Sequence, residues 1–472
     1  MSHAILRRQW QELLSRWPRD AAGPAPLRQG LIGCADTKRG EPPVDFLIPL
    51  GNLAGTEMKR PAAAAVSCDI IAYQNRPCVA VGIGEPGKTS SLDVIALKKI
   101  LRAQTIALSG GLPIAFFWFG RCEIARDDSE IFPDFDAAGV LIQRAAMAGS
   151  DGSSQFIYCE QVAGVGGTLA RALPRRLHDD RHAPAYRDFL TWLEKHATLP
   201  ALQEPAANCD PADLMPLSPS EEYNTRDIIA TLVDAGSFVE YRAEYGRTLI
   251  CGYARIGTMP VGIVANQKKH VRDRGRPFEF GGVIYSESAS KGARFILDCN
   301  QNSLPLLFLQ DVNGFMVGRD AEISGIIRSG AKMVNAVANS IVPKITLILG
   351  GSYGAGNYAM CGKAYEPLFI FGWPTARYAV MGGEQAARTL CDLQIRQAES
   401  SGKKLSEKDR GALFERLKKT YDDQIDPRYA AARLWIDHIV FPGETRALLF
   451  QAFRIASYSP RSAELKTGVI QT

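Results

Sequence analysis

The stretch GGSYGAGNYAM (350–360) has the residue types needed to stabilise a negative oxygen without a charged side chain. An apolar run ends in Gly350 and Gly351, and a helix can start near Gly354, Ala355 and Gly356, so several amide N–H groups converge at a helix N-terminus. Preorganised amides of this kind stabilise charge developing on a carbonyl or ureido oxygen, and losing one such donor costs about 100 to 1,000-fold in rate. The same glycines also permit close helix packing, and the residues alone leave both roles open.

A second turn, LQDVNGFMVG (309–318), follows the preceding apolar strand, and it is expected beside the first at the C-terminal ends of neighbouring strands, where α/β folds bind ligands. Asn313, Gly314 and Phe315 in this turn and Tyr358 in the first are the expected substrate-binding residues. Asp311 has the chemistry of a base, but the local pattern assigns it to ordering the turn through hydrogen bonds to its own backbone. None of the histidines (3, 178, 182, 196, 270, 438) lies in a nucleophile-elbow context, so no Ser-His-Asp triad is expected, and His438 reads as structural.

These turns need a framework, and the sequence carries one twice. Val81, Gly82 and Ile83 recur as Val261, Gly262 and Ile263 at an offset of 180. Lys99, Arg102, Leu112 and Pro113 recur as Lys291, Arg294, Leu304 and Pro305 at an offset of 192, and Gly164 and Gly166 precede Gly354 and Gly356 by 190. The ordered set reads as a duplicated β-α-β unit. Strands are expected over 249–256, 260–265, 305–310, 344–349 and 367–371, with helices over 286–301 and 322–340. The Pro- and Ala-rich segment 197–224 reads as a linker between a first half, 1–196, and a second, 225–472. After Gly167 the first half turns polar and shows no match for the strand near 367.

Composition narrows the class. The chain of 472 residues is 46% hydrophobic and 22% charged, enough for two ordinary globular cores. No apolar run is long enough for a membrane span, and the net charge of +5 is too dispersed to suggest nucleic acid. The ten cysteines form no C-x-x-C pair and read as buried thiols of a reducing compartment, so neither a metal site nor a disulfide framework is expected. Leu6, Trp10, Leu13, Leu14 and Trp17 at helical spacing predict a surface helix packed on the body, the arginines around it leaving a mitochondrial presequence as the alternative.

The stretches FEFGGVIYSESASKGARFILDCNQNSLPLLFLQDVNGFMVG, GAKMVNAVANSIVPKITLILGGSYGAGNYAMCGKAYEPLFIFGWPTARYAVMGG and IDHIVFPGETRALL resemble the carboxyltransferase β subunits of biotin-dependent acyl-CoA carboxylases. Phe315, Met316, Val317, Gly318 and SYGAGNYAMCG look like the 3-methylcrotonyl-CoA and geranyl-CoA type rather than the propionyl-CoA type. The resemblance runs from about 225 to 460 and fades in the first half, where KKILRAQTIALSGGLP still looks like the family.

The resemblance implies two crotonase-like α/β domains in tandem, each a β-β-α superhelix, the first on the acyl-CoA side and the second on the carboxybiotin side. It implies carboxyl transfer from carboxybiotin to a branched or unsaturated acyl-CoA through an enolate, in an active site shared across a dimer interface. Gly354, Ala355 and Gly356 become the biotin-side oxyanion hole. Gly120, Arg121 and Cys122 stand where the family's thioester-side hole is Ser-Gly-Gly, and Lys88 becomes a candidate for an acceptor phosphate or carboxylate. Biotin is expected on a partner, since the chain shows no AMKM-type attachment sequence and no P-loop. A biotin carboxylase, a biotin carrier and either self-association or a β paralogue are the implied partners, in the cytoplasm or, in a eukaryote, the mitochondrial matrix. Replacement of both glycines by Arg121 and Cys122 leaves two alternatives: a regulatory or scaffolding paralogue, and a biotin-independent decarboxylase or thioester hydrolase.

Overall fold

The computed structural model describes residues 3–15, 45–51, 54, 65–85, 88–119, 121–124, 139–141, 143–144, 155–159, 177–178, 182–199, 209–272, 277–400 and 406–459. Strands of the first half are β1 (Asp45–Leu50), β2 (Val66–Tyr73), β3 (Arg76–Ile83), β4 (Thr89–Leu92), β5 (Ile114–Trp118), β6 (Arg121–Ile124), β7 (Gln155–Cys159) and β8 (Leu177–His178). Those of the second are β9 (Val239–Glu240), β10 (Leu249–Ile256), β11 (Met259–Asn266), β12 (Val283–Ile284), β13 (Leu306–Val312), β14 (Gly314–Phe315), β15 (Lys344–Tyr353), β16 (Phe369–Gly372), β17 (Arg377–Ala379) and β18 (His438–Ile439).

Each half builds one mixed sheet. The orders are β1-β2-β3-β5-β7-β8 and β18-β16-β15-β13-β11-β10-β9, with β17 pairing β15 off that path. In both, an antiparallel hairpin (β2–β3, β10–β11) leads into parallel neighbours (β5 and β7; β13 and β15), and a small parallel ladder stands apart (β4–β6, β12–β14). β2 is buried along its whole length and β13 likewise, which is why these segments read as near-continuous apolar runs rather than alternating ones. The duplication is therefore real in topology. The strand register corrects one offset: Val79 lies opposite Ile114 and Gly262 opposite Leu306, so the hairpins superimpose at 183 rather than 180. The first half also has a counterpart of β16 in the two-residue β8, parallel to β7, a piece too short to leave a pattern.

Helix signals act locally. Asp93 caps the helix Val94–Gly110 by accepting from the Ala96 amide at 2.7 Å, and Gly111 ends it at φ +63°. The helix expected over 322–340 is two, Arg319–Ile323 and Ile326–Ala338, because Gly325 at φ +85° takes the left-handed conformation between them. The N-terminal helix His3–Ser15 packs on the second half: Trp10 is buried edge-on against Trp373, its Nε1 donates to the Met215 carbonyl at 2.9 Å, and Arg7 pairs with Asp213. Met215 and Tyr223 are buried, so the 209–224 end of the expected linker contributes to the core. Of the seven cysteines whose burial is described, six are buried as expected and Cys209 is exposed.

One apolar core runs through both halves, taking in Val79, Ile100 and Phe116 from the first and Ile250, Leu347 and Phe450 from the second. A buried ion cluster pins them together. Arg102 of the first half donates to both oxygens of Asp437 at 2.8 and 2.6 Å and to the Leu368 carbonyl at 3.0 Å, while Lys363 and the Ile370 amide reach the same carboxylate at 3.1 and 2.9 Å. Burial alone raises the Asp437 carboxyl, but the charges of Arg102 and Lys363 outweigh it and hold it below the ordinary carboxylate range. Burial lowers Lys363 to about 8 despite the attraction of Asp437. A depressed Asp437 contributes stability that is complete above the ordinary carboxylate range and is lost as pH falls toward its folded value. Asp437→Ala is expected to cost about 3–5 kcal/mol, because Arg102 is left buried without its partner. Thermal melts across pH check both statements: the variant should melt lower at neutral pH, and its deficit should shrink in acid.

Candidate active site

The site forms where β13 and β15 end side by side. Their parallel register holds from Leu306–Lys344 to Gln310–Ile348 and then shifts, so that Val312 pairs with Ser352 and Leu349–Gly351 bulge outward. Asp311 occupies the gap. Its carboxylate accepts the Gly351 amide at 2.8 Å, and a Cβ on Gly350 would lie 2.6 Å from its Cγ, so only glycine fits. The same carboxylate accepts from Lys268 Nζ at 2.9 Å and from the Tyr223 hydroxyl at 3.0 Å, all three groups being buried. Burial, then the Asp311 charge, push the Tyr223 hydroxyl far above its ordinary range, so it stays a donor. Asp311 thus joins three segments, 223, 268 and 351, and does not act through its own backbone as the sequence suggested.

Beyond the bulge the chain turns into the helix Gly354–Ala359. Gly354 has φ +50°, and a Cβ there would lie 2.9 Å from the Val380 carbonyl. Gly356 packs so tightly that a Cβ would meet Val312 Cγ2 at 2.6 Å and the Gly314 Cα at 3.1 Å. A buried polar chain fixes the helix from below: Asn357 donates to Ser352 Oγ at 2.7 Å, Ser352 to Gln310 Oε1 at 2.6 Å, and Gln310 to the Met360 carbonyl at 2.6 Å. The first amides of a helix have no partner within it, and Tyr353 at the N-cap supplies no side-chain acceptor. The Gly354, Ala355 and Gly356 amides therefore stand at a turn with no side-chain cap, with Ala355 exposed.

The second turn sits against the first, since Gly314 touches Gly356. Gly314 (φ +136°) and Gly318 (φ +111°) face open space, where a Cβ would meet nothing within 4 Å. Asn313 is exposed; Phe315 lies over Gly330. Tyr358 is 48% exposed with its ring 5.7 Å from that of Tyr365. The first-half candidates are placed separately. Lys88 is exposed and paired with Glu85. Arg121 and Cys122 open β6, opposite Thr89 and Ser90, so their backbone lies in the ladder that corresponds to β12–β14; Gly120, Gly164 and Gly166 lie outside the described residues. His438 lies in β18, where burial lowers its imidazole to about 4, in keeping with a structural role. The sequence reading missed Tyr223, Lys268, Gln310, Ser352 and Asn357. The available signal was polar residues, Gln310 and Asp311, ending an apolar strand that should otherwise have stayed apolar.

A family model described as the carboxyl transferase domain matches residues 176–470. The biotin-dependent 3-methylcrotonyl-coenzyme A carboxylase β1 subunit of Mycobacterium tuberculosis is 34% identical, over 88% of this chain and 85% of that one. A probable methylcrotonoyl-CoA carboxylase β chain of Drosophila melanogaster, mitochondrial, is 44% identical over 53% of this chain, but only 41% of its own length is covered. The β subunit of geranyl-CoA carboxylase from P. aeruginosa has the same fold, with a TM-score of 0.74 and 26% identity over 98% of this chain and 93% of that one. The expected pair of crotonase-like α/β domains is the architecture of these carboxyltransferases. The Mycobacterium match also carries the likeness beyond the family model into the first half. With a single family model matching more than half of its length and a relative at 34% identity across most of it, this chain belongs to the carboxyl transferase family, as a carboxyltransferase β subunit of the methylcrotonyl- and geranyl-CoA carboxylase type.

Proposed function

We propose that the chain moves a carboxyl group from carboxybiotin, brought by a partner's carrier domain, to the activated carbon of a branched or unsaturated acyl-CoA of the methylcrotonyl kind. The observation that carries this reading is the uncapped turn Gly354–Gly356 beside the open face of Gly314 and Gly318. A ureido group is neutral and flat, with one carbonyl oxygen that accepts hydrogen bonds, and Gly314 and Gly318 leave open space beside these amides. Bound there, carboxybiotin supplies the CO2 unit and, once relieved of it, a basic ureido nitrogen. The chain's own part is to donate the Ala355 and Gly356 amides to the ureido oxygen, and to hold Asn313, Gly314, Phe315 and Tyr358 around the approaching group.

An acyl-CoA thioester loses a proton from its activated carbon, the γ carbon where the acyl chain is α,β-unsaturated, to give an enolate, whose oxygen needs donors of its own. We assign these to the first half, at Gly120, Arg121 and Cys122, with Lys88 near the acceptor's charged end. Arg and Cys amides donate as well as glycine amides do, and their side chains restrict the room around the thioester. Residues 1–196 and 225–472 then act as acceptor and donor domains, joined through 197–224, and one chain's acceptor half faces the donor half of a second copy or of a β paralogue. A biotin carboxylase and a biotin carrier complete the assembly. Among the described residues no helix is long and apolar enough to cross a membrane, and we place the complex in the cytoplasm or, in a eukaryote, the mitochondrial matrix. Relatives named as carboxylases favour this enzyme over a scaffold or a biotin-independent hydrolase.

Purified chain mixed with a biotin carboxylase, its carrier and a panel of acyl-CoAs is expected to fix labelled bicarbonate, and avidin should abolish the incorporation. Silence across the panel, or incorporation indifferent to avidin, contradicts the reading. Ala355→Pro removes one amide in the first turn of the helix, where that N–H makes no helix hydrogen bond, and is expected to lower kcat by about 100 to 1,000-fold. Ala355→Ser, which keeps the amide, should stay near wild type, and circular dichroism checks that both variants fold.

A further inference from the structure

The connection between β11 and β12 covers 267–282, whereas its first-half equivalent between β3 and β4 covers only 84–88. Phe278 and Phe280 on this longer loop are about half exposed, and their rings lie edge-on to His270, at 5.2 and 5.7 Å. His270 ties the loop at both ends. Its amide donates to Glu222 Oε2 at 2.8 Å and its Nε2 lies 3.6 Å from Glu222 Oε1, while its Nδ1 accepts the Gly281 amide at 2.9 Å.

Gly281 leads directly into the site. A Cβ on it would lie 2.0 Å from the carbonyl oxygen of Lys268, the residue whose ammonium binds Asp311. Gly282, at φ +74°, donates to the Gln267 carbonyl at 2.8 Å and accepts the Asn313 amide at 2.7 Å. Met316 donates to the Ile284 carbonyl at 2.9 Å, closing the β12–β14 ladder. The Asn313–Gly314 turn therefore hangs from Gly281–Gly282, and that glycine pair is held on its outer side by the His270 ring.

We propose that His270 is a positioning residue for carboxyl transfer: uncharged, it seats the Asn313–Gly314 turn against Gly356, and protonation of its ring releases that turn. The proposal rests on the assignment of this turn to the transfer site. An imidazole nitrogen accepts a hydrogen bond only while it carries no proton, and in the imidazolium both nitrogens are donors. The groups facing the ring act in the same direction. Glu222 is held below its ordinary range first by its hydrogen bond from Arg272, at 2.6 Å, and then by the His270 amide, so it stays ionised and attracts a charged ring. Glu279 pairs with Val271 through a short bridge, the Tyr285 hydroxyl accepts the Phe280 amide at 2.9 Å, and Lys268 is engaged by Asp311. Protonation removes the acceptor from Gly281 and draws the ring toward Glu222.

Hydrogen exchange of the full-length protein, read by mass spectrometry at about pH 8 and about pH 5.5 and corrected for intrinsic rates, tests this directly, since imidazoles change charge across that range. In the wild type, peptides covering 277–286 and 311–318 are expected to lose protection by roughly fivefold in acid, the equivalent of one hydrogen bond. His270→Asn, whose amide oxygen accepts from Gly281 at either pH, should keep its protection, and His270→Phe should lack it at both. Equal protection of the wild type at the two pH values, or the same acid loss in His270→Asn, overturns the proposal. In the transfer assay, the wild type should show an acid limb in kcat/KM that His270→Asn flattens. The expected exchange pattern without any transfer activity would refute the functional assignment and leave the His270 clasp standing.

Discussion

The turn that ends β15 depends on one carboxylate placed between two parallel strands. Asp311 enters the β13–β15 pair where ladder hydrogen bonds would otherwise continue, takes the Gly351 amide for itself and displaces Leu349–Gly351 from register. A buried charge of this kind is costly unless it is paired, and the pairing determines what else must be present. Lys268 comes from the end of β11, Tyr223 from the segment joining the halves, and Gly350 because no other residue leaves room. The bulge then aims the chain so that Gly354–Gly356 starts a short helix with its amides uncapped. Gln310, Ser352 and Asn357 hold that helix through hydrogen bonds, and Val312 and Gly314 hold it through contact.

The two halves are built on a single β-α-β plan. Their sheets share order and direction, and both have a buried helix lysine, Lys99 in one and Lys291 in the other. They differ at the strand ends. The first half has Phe119 where the second has Asp311, counting along the matching strands β5 and β13, and so lacks the carboxylate that makes the bulge. The Arg102–Asp437 pair then sets how one half sits on the other, because Arg102 also reaches the carbonyls of 367 and 368 beside β16, the strand next to the site strand.

Much of this was legible in the sequence, for reasons that can be given residue by residue. The helix 286–301 and the strand 249–256 fall where periodicity placed them, since both follow local rules. Gly354 and Gly356 announced a turn because glycine at those positions answers a local constraint, a positive φ in one and a close contact in the other. The hairpin repeat was recognised but set three residues out of register, because Val-Gly-Ile occurs by composition in both strands and only the pairing fixes the alignment. The roles of Asp311, Tyr223 and Lys268 were not legible: their partners are 40 to 88 residues apart along the chain, and no local pattern encodes such a meeting. The break at Gly325 was missed because a lone glycine in a helical pattern is compatible with continuation.

The central claim is that Asp311, by forcing the bulge at Gly350, places the amides proposed to bind the ureido oxygen. The most direct measurement is carboxyl transfer by Gly350→Ala, with its fold verified by thermal melting. A Cβ at 350 and the Asp311 carboxylate cannot both keep their places, so the account predicts a folded protein that has lost transfer by about 100-fold or more, the scale of a misplaced oxyanion donor. A Gly350→Ala variant that folds and transfers carboxyl groups at the wild-type rate would contradict it.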